Sequence, residues 1–99
     1  MLTVQRTDVF IRWLRRLRDK QAVVKILVRI DRLQLGNPGD HKRLGGGLAE
    51  MRIDYGPGYR VYLTEWKGDV IVLLCGGDKR TQARDIAKAR AMIEELPWR

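Results

Sequence analysis

The sequence holds one cysteine and one histidine among 99 residues, three prolines, and no apolar run longer than Val70-Ile71-Val72-Leu73-Leu74-Cys75. A lone cysteine cannot close a disulfide within the chain. Cys75 lies inside the apolar run, so it reads as a small buried hydrophobe in a reducing setting, not as a reactive thiol. The run falls far short of the roughly 20 apolar residues that a membrane-spanning helix needs. The start Met1-Leu2-Thr3-Val4-Gln5-Arg6 lacks the apolar stretch of a signal peptide, so a cytoplasmic protein is expected. His41 stands in a polar stretch and is expected at the surface. There is no internal repeat and no low-complexity segment.

Positive charge is in surplus. Twenty Lys and Arg oppose twelve Asp and Glu, for a net +8, and residues 1–34 alone carry nine cations against three acids. A surplus of that size on one small body favours a polyanion as partner, RNA first, although a merely solvated basic surface would also produce it. A chain of this length supports one core and buries roughly two-thirds of its unfolded surface, enough to fold without staples. A single domain over residues 1–99 is expected.

Leu2 to Gln5 is short and β-prone. Thr7 or Asp8 then offers an N-cap to a helix whose Phe10, Trp13, Leu14 and Leu17 share one face. Asp19-Lys20 reads as a break, and Val23, Ile26, Leu27, Ile30 and Leu33 continue the 3.6 period in a second helix that Gly36-Asn37-Pro38-Gly39 ends. The two helices read as a hairpin with basic outer faces. Residues 36–47 read as a polar surface loop. Leu48 to Tyr55 and Tyr59 to Trp66 alternate about Gly56-Pro57-Gly58 as an antiparallel hairpin, and Lys67-Gly68 makes the next turn. Val70 to Cys75 reads as a central strand covered on both faces and broken by Gly76-Gly77. A last helix spans about Thr81 to Leu96. The order β-α-α-β-β-β-α predicts an α+β fold, with a small antiparallel sheet beside an N-terminal helical hairpin.

Folding the hairpin about Pro57 pairs Ile53 with Val61 and Met51 with Leu63 on a core face. The opposite face pairs Asp54 with Arg60, Arg52 with Tyr62 and Glu50 with Thr64. That cluster fits either cross-strand ion pairs on a wet sheet or a site for an anion. Lys79 and Arg80 follow at a strand-to-helix junction, where a helix N-terminus would add free N–H groups suited to phosphate. Ile71 and Leu73 are placed on the second sheet face, covered by the last helix or left to a partner.

The segments Glu50-Met51-Arg52-Ile53-Asp54-Tyr55-Gly56-Pro57-Gly58-Tyr59-Arg60-Val61-Tyr62 and Leu73-Leu74-Cys75-Gly76-Gly77-Asp78-Lys79-Arg80-Thr81-Gln82-Ala83-Arg84-Asp85-Ile86 resemble the RelE/ParE toxin superfamily. More narrowly they are similar to its HigB-like "addiction module killer protein" branch. Trp13-Leu14 and Gly36-Asn37-Pro38-Gly39-Asp40 extend the resemblance over nearly the whole chain. It implies the toxin of a type II toxin–antitoxin pair, with two helices on one side of the sheet. RelE-type members cleave messenger RNA in the ribosomal A site without a metal or other cofactor, and ParE-type members inhibit DNA gyrase. The implied partners are a helix-turn-helix antitoxin with an acidic surface, messenger RNA, and the ribosomal RNA of the 70S ribosome.

By the same resemblance, Arg60 and Arg80 match the family's catalytic arginines. Ile86 stands where RelE-type enzymes often place a tyrosine, and the histidines of other members are missing. Metal-free cleavage needs a base for the 2′-hydroxyl, cations for the phosphorus oxygens and an acid for the 5′-oxygen. Arg60 and Arg80 suit the cationic role, with Lys79 and Arg52 beside them. Tyr62, Asp85, Glu50 and Lys79 are the candidate acids and bases. Gln82 and Arg84 are expected to contact RNA near the site. Arg12, Arg15, Arg16, Lys25, Arg29 and Arg32 are expected to form a broader footprint on ribosomal RNA. A ParE-type gyrase inhibitor and a plain nucleic-acid-binding module stay open beside the ribonuclease.

Overall fold

Strand β1 (Thr3–Arg6) turns into helix α1 (Asp8–Arg16) at Thr7, whose hydroxyl accepts from Phe10 N at 3.0 Å and donates to Leu74 O at 2.7 Å. One side chain thus caps the helix and fastens it to the sheet. Asp19 caps helix α2 (Lys20–Gln34) by accepting from Gln21 N and Ala22 N, and it also accepts from the Tyr55 hydroxyl at 2.8 Å. Gly36, at φ +87°, closes α2: its N–H reaches Leu33 O and that of Asn37 reaches Arg32 O. This paired closure needs a residue at ease in the left-handed region. The computed structural model describes residues 1–66 and 68–97.

Four more strands follow, β2 (His41–Gly45), β3 (Leu48–Ile53), β4 (Tyr59–Trp66) and β5 (Val70–Gly77), and then helix α3 (Gln82–Glu95). The sheet order is β1-β5-β4-β3-β2, antiparallel except where β1 runs parallel to β5. The α+β class and the helix order are as expected. The sheet is mixed, however, because β1, the first element of the chain, lies at the edge beside β5 and runs in the same direction. The expected loop over residues 36–47 contains β2, and the edge strand keeps His41 exposed. Its run of polar side chains hid it, since both faces of a short edge strand can stay wet. Lys67 of the predicted Lys67-Gly68 turn lies outside the described residues.

The sheet separates two apolar layers. Phe10, Ile26, Ile30, Leu33, Met51, Ile53, Val61, Leu63, Ile71 and Leu73 form one under α1 and α2. Leu48, Tyr62, Val72, Leu74, Cys75, Ala89 and Ile93 form the other under α3. Ile71 and Leu73 are therefore covered by the N-terminal helices. A bulge between Tyr62 and Leu63 in the pairing with β5 leaves Leu74 extra, so that Leu74 and Cys75 both join the α3 layer. Cys75 is buried and unpaired, as expected.

Two details of the hairpin differ from expectation. Its register pairs Met51 with Val61, Arg52 with Arg60 and Glu50 with Tyr62, two residues tighter about the turn than a fold at Pro57. An even shift keeps every side chain on its predicted face and changes only its neighbour. Gly76 and Gly77 also do not break β5. Both remain in the ladder, opposite Val61 and Arg60. They are glycine because a Cβ on Gly76 would lie 2.3 Å from the Trp13 ring, and one on Gly77 would lie 1.8 Å from Asp85 Oδ2.

Candidate active site

The alternation of β3 puts Glu50 and Arg52 on the α3 side of the sheet, and the register brings Tyr62 and Arg60 across from them. Glu50 is fully buried. Its Oε1 accepts from Arg52 Nε at 3.1 Å and stands 3.8 Å from Arg60 Nε, while Oε2 accepts from Gln82 Nε2 at 2.8 Å. A buried carboxylate is costly unless paired, and here two guanidinium groups and an amide supply the compensation. Arg60 has a side chain only 13% exposed; its Nη1 donates to Gly58 O at 3.2 Å, and among the described residues its Nε has no hydrogen-bond partner. Glu50 therefore sits behind the two arginines and fixes where they point.

In front of them lies a cleft of about 370 Å³, whose charged lining is Asp40, Arg52, Asp54, Arg60 and Lys79, with Gly56-Pro57-Gly58 as one wall. Gly58, at φ +79°, holds the left-handed conformation that turns this wall toward β4, and a Cβ there would make only ordinary contact with Arg60 Nη1 and Lys79 Cβ at 3.5 Å. Three cations thus converge on one small opening, a geometry that can clamp a phosphodiester.

The other expected site residues fall differently. Arg80 has a side chain 84% exposed, directed toward Asp78 at 3.5 Å, and is not among the residues lining the cleft. The free helix N-terminus expected at the junction is occupied by its own side chains. A 3-10 turn spans Lys79–Thr81; Asp78 accepts from Arg80 N at 2.8 Å, and the Thr81 hydroxyl accepts from Asp78 N at 3.3 Å. Asp78 stands where a phosphate would be expected. Asp85 is buried and accepts from the Thr81 hydroxyl at 2.5 Å, away from the cleft. Tyr62 is fully buried, and among the described residues its hydroxyl has no partner at good hydrogen-bond geometry. Burial, reinforced by the Glu50 and Asp85 carboxylates, pushes its pKa well above the usual phenol value. Tyr62 therefore stays protonated at neutral pH and is no base. Of the four candidate acids and bases, Lys79 alone lines the cleft.

The broader footprint also divides. Gln82 is held on Glu50. Arg29 donates through Nη1 to Arg52 O, and through Nη2 to Pro38 O at 2.8 Å and Asp40 O at 2.9 Å. It ties α2 to the start of β2 and the end of β3, and partial burial lowers its pKa. Lys25 Nζ lies 5.3 Å from the Tyr55 ring centre. Arg32, Lys25 and Arg29 line a shallow depression on α2. Arg12, Arg15 and Arg16 are exposed on α1, and Arg12 and Arg16 share a groove with Arg84 of α3. Asp54 lines the cleft, on the face where the sequence places it beside Arg60, although it is not among the candidate acids and bases expected from the sequence. Asp40 also lines the cleft and is not legible in the sequence, because its position depends on β2.

A small mixed sheet between helical layers, with a buried carboxylate behind two arginines at a cleft lined by three cations and two carboxylates, defines a small basic α+β protein. The sequence comparisons are specific. Residues 12–94 match the family model described as "Phage derived protein Gp49-like", and the chain belongs to that family, which lies within the RelE/HigB-like toxin superfamily. It is 47% identical over 95 residues to an uncharacterized protein of Haemophilus influenzae, with 96% of each chain covered. No solved structure matches it. Among the described residues, no helix is long and apolar enough to cross a membrane.

Proposed function

We propose that this protein is the toxin of a type II toxin–antitoxin pair and an endoribonuclease that cleaves messenger RNA on the ribosome without a metal. The observation that carries the reading is the cleft in which Arg52, Arg60 and Lys79 converge, with Glu50 locked behind the two arginines. Arg60 and Arg52 would hold the non-bridging oxygens of the scissile phosphate. A cleft carboxylate, Asp54, takes the 2′-hydroxyl proton as that oxygen attacks phosphorus. Lys79 gives a proton to the departing 5′-oxygen, leaving a 2′,3′-cyclic phosphate and a 5′-hydroxyl. Each positioned acid or base contributes roughly 10²–10⁴-fold. The partners on this reading are the ribosome, messenger RNA and a helix-turn-helix antitoxin that silences the toxin.

The test is primer extension on a message translated by purified ribosomes. Arg60→Ala is expected to reduce cleavage at least about 10²-fold, and Lys79→Ala to reduce it less than Arg60→Ala does. Cleavage by Arg60→Ala at the wild-type rate would overturn the site. Intact message together with blocked DNA supercoiling by gyrase would replace the ribonuclease reading with a ParE-type one.

A further inference from the structure

A second basic concavity lies between α1 and α3. It measures about 440 Å³, and its lining includes Arg12, Arg16, Trp13, Arg84, Asp85 and Lys88. Arg12 and Arg16 are four residues apart on α1, and Arg84 and Lys88 are four apart on α3, so each helix presents a two-step ladder of cations. Like charges at that spacing disfavour their helix. Among the described residues, no carboxylate lies within 4.0 Å of Arg12, Arg16 or Lys88, and Arg84 alone reaches one, Asp85 at 4.0 Å. The Asp85 carboxylate is further engaged by the Thr81 hydroxyl. Four cations therefore surround one partly neutralised acid.

The floor is as informative as the walls. Gly76 carries no side chain there, and the Trp13 ring lies against it, held by Phe10 at 5.7 Å and Tyr59 at 6.4 Å between ring centres. A fixed aromatic ring beside unpaired cations is the composition with which proteins hold single-stranded nucleic acid, bases on the ring and phosphates on the cations. An acidic peptide would use the cations and leave the ring without a role. The groove also lies beside the cleft: Gly77, the next residue after its Gly76 floor, pairs with Arg60 on β4. One strand spacing, about 4.8 Å, separates the backbones beneath the two openings.

We infer that the α1–α3 groove is a second binding site for the phosphodiester backbone of single-stranded RNA, continuous with the cleft across the Asp78–Thr81 turn. It takes the length of strand that flanks the reacting phosphate. The inference rests on RNA as the ligand of the cleft and adds a site that the chemistry itself does not use.

The experiment is fluorescence anisotropy with a labelled trinucleotide and a labelled dodecanucleotide RNA, across a salt series, on the full chain. The wild type should bind the dodecanucleotide more tightly and with a steeper salt dependence. Lys88→Glu and the double variant Arg12→Gln/Lys88→Gln should narrow that difference, each lost phosphate contact reducing the logarithmic salt slope by about 0.7. Trp13 fluorescence in a Trp66→Phe/Trp98→Phe background should be quenched by the dodecanucleotide only. Circular dichroism checks that each variant is folded. Wild-type affinity and slope in both folded groove variants would overturn the inference. So would polyglutamate that binds the groove as tightly as RNA, which would point to an acidic protein. If groove variants lose length-dependent binding while no message is cut, the cleavage reading fails and the groove stands. If Arg60→Ala stops cleavage while groove variants bind as wild type, the reverse holds.

Discussion

At the scale of single residues, Glu50 is the group on which the cleft depends. It is fully buried, yet hydrogen bonds from Arg52 and Gln82 and the nearby Arg60 Nε meet its two oxygens. Glu50→Gln keeps the size and a carbonyl oxygen but removes the charge. Charge-assisted hydrogen bonds contribute about 1.5–3 kcal/mol, and Arg52 is partly solvated, so the expected loss in urea unfolding is about 1–2 kcal/mol. Cleavage should fall further than that loss explains, because both arginines lose the anchor that aims them. Cleavage kinetics on ribosomes carrying a message would separate the effects: a lower kcat with little change in KM marks lost positioning. Unchanged kcat in Glu50→Gln would show that the arginines aim themselves.

At the scale of elements, the junction of β5 with α1 and α3 sets how closely the layers approach. Gly77→Ala forces a methyl group to 1.8 Å from Asp85 Oδ2, and Gly76→Ala forces one to 2.3 Å from the Trp13 ring. Either should destabilise the fold by about 1–3 kcal/mol, the usual cost of overpacking, read as a lower thermal midpoint. Double variants with Asp85→Ala or Trp13→Ala should recover part of that loss. Failure to recover would place the strain in the backbone. The helices, hairpin and central strand were legible because their period, caps and turn residues agree. The glycine pair was legible as a feature but not as a cause, since the reason lies in residues 63 and eight positions away. The cleft was legible by parity: Glu50 and Arg52 share a face by alternation, and Arg60 joins them under any register that differs from the expected one by an even number of residues. Rotamer and burial were not legible. They send Lys79 into the cleft and Arg80 to solvent, turn Gln82 onto Glu50, and assign Arg29 to backbone carbonyls.

At the scale of the whole molecule, the same basic surface that suits a polyanion sets the pH dependence of stability. The isoelectric point near 10.3 means that mutual repulsion among the cations fades as pH rises toward it, which alone would favour the fold at alkaline pH. Two buried acids oppose this. Burial raises the Cys75 thiol from 9.0 to about 11, with Asp85 adding to it, and Tyr62 is raised in the same sense. A folded pKa above the unfolded one means that the folded state holds its proton longer. That stability is complete below about pH 9 and is lost as pH climbs toward 11. At about 1.4 kcal/mol per pKa unit, the thiol alone accounts for a loss on the order of 2–3 kcal/mol across that window, against a typical total of about 5–15 kcal/mol. Repulsion between surface charges is screened by salt and the buried thiol is not. At 0.5 M salt the thiol should therefore dominate, and stability by urea unfolding should fall steadily from pH 9 to 11. Cys75→Ala should flatten that fall while lowering stability at pH 7 by the lost packing of its sulfur. Tyr62→Phe should flatten what remains above pH 10. An alkaline decline as steep in Cys75→Ala as in the wild type would rule out the thiol as its source.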